Sequence, residues 1–121
     1  LLQKEMTAND YQQAAARTMI DAPDFQITDE QVMLAWNAIG LSGEAGEVAD
    51  LIKKGIFHQQ GLDLPKLKKE LGDVLWYLTA LCQALGLTLE EVMQHNIDKL
   101  KARFPEGYSP DRTTFREGDA W

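Results

Sequence analysis

Carboxylates recur at three-residue spacing twice in this chain, at Glu44, Glu47 and Asp50 and again at Glu70 and Asp73. On a helix that spacing lays each set along one face. The first set borders an apolar stripe of Val48, Leu51 and Ile52, and the second is flanked by Leu71, Val74 and Leu75, which puts Asp73 at least toward a buried side. Two such helices packed antiparallel would bring these carboxylates together, where like charge and loss of water raise their pKa values and strain the fold. A cation resolves that conflict, and a donor set made only of oxygens selects a hard ion, Mg²⁺ or Mn²⁺, over zinc. The same acids also suit a solvated face on which Lys53, Lys54, Lys66 and Lys69 serve as ion-pair partners, since exposed pairs of this kind are common and individually weak. Spacing alone leaves both readings open.

The elements that must position these acids are helical, because no stretch sustains a period-2 alternation of β-branched residues. Thr7 with Asp10 resembles a capping box and opens an Ala-rich helix expected from Ala8 to Ile20, ended by the Pro23 region. Thr28 with Gln31 opens a second helix, whose apolar positions from Val32 to Ile52 keep helical spacing and carry it to about His58. Four glycines inside it, Gly40, Gly43, Gly46 and Gly55, each weaken a helix by up to about 1 kcal/mol, so close approach by another helix or a ligand is expected there. Asp63 with Pro65 starts a third helix, which Gly86 closes, and Thr88 with Glu91 caps a fourth that Pro105 stops. The expectation is an all-α, four-helix-bundle-like fold in a single domain over 1–121, with a helical core at about 7–104 and an irregular C-terminal tail at 105–121.

Composition narrows the function classes. An apolar content of 45% is too high for wholesale disorder, and the longest apolar runs fall far short of the roughly 20 residues a membrane span needs. Leu1 to Glu5 lack the pattern of a signal peptide, so a soluble, cytoplasmic protein is expected. A net charge of −7 argues against a nucleic-acid polymer as partner. It leaves room for a single nucleotide, because a bound metal ion reverses the local sign of an acidic pocket. Cys82, a lone cysteine in an apolar pattern, reads as core filler, and His58 and His95 have no partners at ligand spacing.

The segment Gly40-Leu41-Ser42-Gly43-Glu44-Ala45-Gly46-Glu47-Val48-Ala49-Asp50, followed by Glu70-Leu71-Gly72-Asp73-Val74-Leu75-Trp76-Tyr77-Leu78, closely resembles the MazG-like nucleotide pyrophosphohydrolases. That family carries E-E-x-x-E on one helix and E-x-x-D on the next, and the 22 residues between Glu47 and Glu70 allow a hairpin. One position departs: Gly43 stands where the family has its first Glu. The resemblance implies hydrolysis of a (deoxy)nucleoside triphosphate between the α and β phosphates, in the service of nucleotide-pool cleansing. It further implies Mg²⁺ held by Glu44, Glu47, Glu70 and Asp73, which are then both catalytic and metal-binding. With Gly43 in that first position, the attacking water must be activated by the ion itself or by a carboxylate such as Glu47 through its second oxygen.

Lys54, Lys99 and Arg103 are the candidate phosphate contacts, with Asn96 as a polar partner of sugar or phosphate and Asn37 for a base edge. Trp36, Trp76 and Tyr77 suit a base, although large aromatics on helices mostly pack in cores. MazG-like proteins complete their sites across subunits, which implies a homo-oligomer, either a dimer or a tetramer built as a dimer of dimers. Two alternatives stand beside this reading: a related phosphohydrolase acting on phosphoribosyl-ATP, and a non-enzymatic helical oligomerisation module whose acids are only a solvated face.

Overall fold

The computed structural model describes residues 4–110. It is all-α: four helices in chain order, α1 (Ala8–Ala16), α2 (Asp29–Phe57), α3 (Leu64–Leu85) and α4 (Leu89–Arg103), with no strand among the described residues.

Each helix starts where a side chain can satisfy its first free amides. Thr7, Thr28 and Thr88 form reciprocal capping boxes with Asp10, Gln31 and Glu91, and the Asp63 carboxylate accepts from the Lys66 amide ahead of α3, with Pro65 in the first turn. Gly86 ends α3 in the left-handed region at φ 72°, a conformation that costs a residue with a Cβ far more. The first helix is shorter than its Ala-rich sequence predicts, stopping at Ala16 rather than Ile20. There the amides of Thr18 and Met19 turn back to the carbonyls of Ala15 and Ala16, and the Thr18 hydroxyl also donates to Ala15 at 3.0 Å. No residue of α1 is buried, so propensity has no packing to extend it.

The dominant helix packing is between α2 and α3. Gly40 lies against Tyr77 while Glu44 lies near Glu70 and Asp73, so the two helices run antiparallel with the acids at mid-length. At the closed end, the Gly61 amide donates to the Gly55 carbonyl at 3.1 Å, and a Cβ at Gly55 would sit 2.8 Å from the Gly61 oxygen. The helix α4 leaves α3 through a bend of 105°, so it crosses rather than returning along the hairpin. Close approach therefore accounts for two of the four expected glycines, Gly40 and Gly55, while Gly43 and Gly46 face open space.

Little of the apolar surface is covered within one chain. Among the described residues, Leu67 and Cys82 are the buried hydrophobic ones, the latter as expected of core filler, and Asn37 the buried polar one. Trp36, Ile39, Phe57, Leu71, Leu75 and Trp76 are all more than half exposed. The core reading of both tryptophans thus fails within the single chain, where Trp36 is 65% and Trp76 63% exposed. No single helix among the described residues is long and apolar enough to cross a membrane.

Candidate metal centre

Antiparallel packing brings three of the predicted acids together. One carboxylate oxygen from each of Glu44, Glu70 and Asp73 lies within 4.8 Å of the others. The expected burial is reversed within the pair on α3: the Glu70 side chain is 12% exposed and that of Asp73 41%. Glu70 points into the seam toward α2, whereas Asp73 lies at its edge.

Crowding perturbs the acids in opposite directions. A hydrogen bond to Glu70 pushes the Glu44 carboxyl above its usual range, helped by lost solvation and by the charges of Glu70 and Asp73. Glu70 is held below its usual range, first by that same hydrogen bond and then by Lys69 and Lys66. One carboxyl thus tends to keep its proton so that its neighbour can ionise, the behaviour of like charges at short range without enough countercharge. Lys69 supplies part of it, with Nζ 3.3 Å from Glu70 Oε1 and 3.4 Å from Asp73 Oδ2.

The donor set fits a hard divalent cation. In an octahedral Mg²⁺ shell with bonds of about 2.1 Å, neighbouring oxygens are about 3 Å apart and opposite ones about 4.2 Å. The spread of the three carboxylate oxygens is compatible with either relation. An all-carboxylate set offers zinc none of the softer ligands it prefers.

The other predicted residues are placed unevenly. Glu47, one turn beyond Glu44, is exposed and outside the trio. Asp50 belongs with the lysines: Lys54 Nζ is 2.7 Å from its Oδ2 and Lys53 Nζ 3.1 Å from its Oδ1, which lowers the Asp50 pKa and raises that of Lys54. The solvated-face reading of the acids is therefore right for Asp50. Lys54 is thereby tied to α2 well away from the trio. One turn from Glu44 and Asp73, on the opposite side from Lys54, Gly40 meets Tyr77, whose ring packs edge-on against Trp76 at 5.1 Å between centroids. Asn37, a further turn along α2, is buried. The remaining candidates ride on the diverging α4: Asn96 is exposed, Lys99 is half-buried, and the half-buried Arg103 guanidinium lies 5.7 Å from the Phe104 ring centroid. Phe104 stacks in turn on Tyr108. His58 caps the end of α2, and His95 is exposed.

Two features were not singled out by sequence reasoning. One is the contact of Gly40 with Tyr77, for which a glycine in a helix was the only signal. The other is the particular role of Lys69, signalled by its i,i+4 relation to Asp73 but shared with other lysines. A Cβ at Gly40 would overlap the Tyr77 ring. Gly40→Ala is therefore expected to destabilise the protein by about 1–3 kcal/mol through overpacking, despite a helix-propensity gain of about 1 kcal/mol. In a Tyr77→Ala background the same change should instead stabilise by about 1 kcal/mol. Urea melts of the four proteins measure both; an equal loss in the two backgrounds would show that Tyr77 is not the obstacle.

The model of the MazG nucleotide pyrophosphohydrolase domain matches residues 35–108, a stretch containing the trio, the Gly40 and Tyr77 contact and all of α4. The Gene 37 protein of Mycobacterium phage L5 is 39% identical over 103 residues, covering 80% of this chain and 88% of that protein. No solved structure matches the chain. With the family's domain matched over more than half of the chain, and three of the four family acids meeting across a helical hairpin, this chain belongs to the MazG nucleotide pyrophosphohydrolase family.

Proposed function

We propose that the protein hydrolyses (deoxy)nucleoside triphosphates between the α and β phosphates, releasing a nucleoside monophosphate and pyrophosphate, with Mg²⁺ as the working ion and Mn²⁺ as a substitute. The observation that carries this reading is the convergence of Glu44, Glu70 and Asp73 from two helices. These three would hold the ion, with Glu47 reaching it from the next turn of α2. When bound, the ion neutralises phosphate charge and acidifies the attacking water.

Glu47 is the chain's candidate for the proton. It stands one turn from Glu44, and Gly43 offers no side chain in its stead. In this reading the water oxygen bonds to the α phosphorus, the bond from that phosphorus to the bridging oxygen breaks, pyrophosphate departs with the electron pair, and Glu47 accepts the water proton. Lys54, Lys99 and Arg103, with Asn96, are the proposed phosphate and sugar contacts. For Lys54 that role requires leaving Asp50, and for α4 it requires a face of the site that one chain does not close. Tyr77, Trp76 and Asn37, on the side of the trio away from the loop joining α2 to α3, are the proposed base contacts. A substrate of this kind places the work in the cytoplasm, as cleansing of the nucleotide pool.

The large exposed apolar surface supports a homo-oligomer, a dimer or a dimer of dimers, in which a second copy covers α2 and α3. Product analysis tests the chemistry. With a deoxynucleoside triphosphate and Mg²⁺, chromatography should show monophosphate and pyrophosphate at early times and no diphosphate, and ¹⁸O from labelled water should appear in the monophosphate. A diphosphate with inorganic phosphate as primary products would overturn the proposed site of cleavage. A panel including phosphoribosyl-ATP then ranks substrates. Mg²⁺ alone should raise Tm, because a ligand bound only by the folded state at a hundred times its Kd stabilises by about 2.7 kcal/mol.

A further inference from the structure

We propose that Lys69 is a built-in counter-ion of the acidic trio, displaced when the divalent cation enters and then free to reach the phosphates that arrive with it. The inference rests on the metal reading above and extends it to a residue that reading does not use. Lys69 bridges two of the three acids, Glu70 at 3.3 Å and Asp73 at 3.4 Å, with its own side chain 70% exposed. These distances are at the loose end for a charge-assisted contact, for which about 2.7–2.9 Å is usual. The contrast with Lys54, held at 2.7 Å by Asp50, is informative: one lysine is tightly committed and the other loosely placed.

The consequence is electrostatic. An ammonium and a divalent cation cannot share the same carboxylate oxygens, since their mutual repulsion is strongest where both would be best bound. The ion brings two charges against one and binds at about 2.1 Å, so it wins, but its affinity is reduced by whatever Lys69 contributed to the metal-free protein. Once released, Lys69 stays on α3 beside Glu70, because its four-carbon stem swings the charge without moving the helix. It therefore adds positive charge at the mouth of the site at the moment a polyphosphate needs it.

Calorimetric titration of MgCl₂ into the nucleotide-free protein tests this, using wild type, Lys69→Gln and Lys69→Arg. Lys69→Gln should bind Mg²⁺ several-fold more tightly than wild type, Lys69→Arg about equally, and the gap should narrow in high salt. Melting without metal should place Lys69→Gln below wild type, with a larger rise on adding Mg²⁺, which separates a lost counter-ion from a damaged fold. At saturating Mg²⁺ the KM for a triphosphate should rise in Lys69→Gln with kcat little changed. Equal or weaker Mg²⁺ binding by Lys69→Gln, while wild type binds the ion, would overturn the counter-ion role and leave the metal site standing. Absence of Mg²⁺ binding by wild type would overturn both.

Discussion

Glu70→Gln, and separately Asp73→Asn, is expected to lower triphosphate hydrolysis at saturating Mg²⁺ by about a thousandfold or more, equivalent to about 4 kcal/mol of lost transition-state stabilisation. Each amide keeps the shape of the acid and removes the charge that would bind the ion. Glu70 should be the more sensitive of the two, because it is the more buried and accepts from both Glu44 and Lys69. The metal-free protein should melt at an unchanged or higher temperature in either variant. In the native trio, like charges are crowded enough to push Glu44 toward its protonated form, and one neutral amide relieves that repulsion. The ion pair with Lys69 that each variant gives up is weak by comparison, because the ammonium is well exposed to water. Turnover near the wild-type value in both variants would refute the assignment of these acids, and loss of turnover with loss of helical signal would reassign them to folding. Glu47→Gln belongs in the same series: a loss in kcat without a loss in Mg²⁺ affinity would point to proton transfer, and a loss in both to ligation.

The second large effect concerns the uncovered apolar surface. Leu71 is 55% exposed in the single chain and lines an apolar groove of about 470 Å³ with Val48, Ile52, Leu64 and Leu67. If the chain worked alone, Leu71→Glu would fall within the roughly 0.5 kcal/mol usual for surface substitutions. If a second copy covers the groove, the variant buries an unpaired charge, and a cost of several kcal/mol with dissociation to monomer is the expected result. Ile39→Asp, at a site 72% exposed on α2, should behave in the same way if the interface extends over both helices. Light scattering and urea melts over a range of protein concentration measure both, since the stability of an obligate oligomer rises with concentration. A monomeric wild type at concentrations where it turns over substrate would sink the proposal, and with it the proposed closing of the site by residues of α4.

Much of this protein is written locally. Three Thr-based capping boxes and the Asp63 and Pro65 start are contacts within four residues, so the beginnings of all the helices were legible without tertiary information. So were the acids, whose three-residue spacing is itself a statement about one helix face, and whose pattern carries the family. What spacing could not decide was which acids meet, because that depends on the register between two helices. The register places Glu44 opposite Glu70 and Asp73 and leaves Asp50 to the lysines, and it makes Glu70 rather than Asp73 the buried member. The same register explains why Gly40 must be small, through a ring that belongs to a residue 37 positions away. The premature end of α1 escaped the sequence because helix propensity extends an element only where packing supports it, and no residue of α1 is buried within one chain; the crossing of α4 escaped it because the angle between helices is set by which faces meet, not by local propensity. Local chemistry fixed the helices and marked the candidate acids, whereas the antiparallel seam alone selected which of them come together, since proximity across a hairpin is a property of two faces together and of neither by itself.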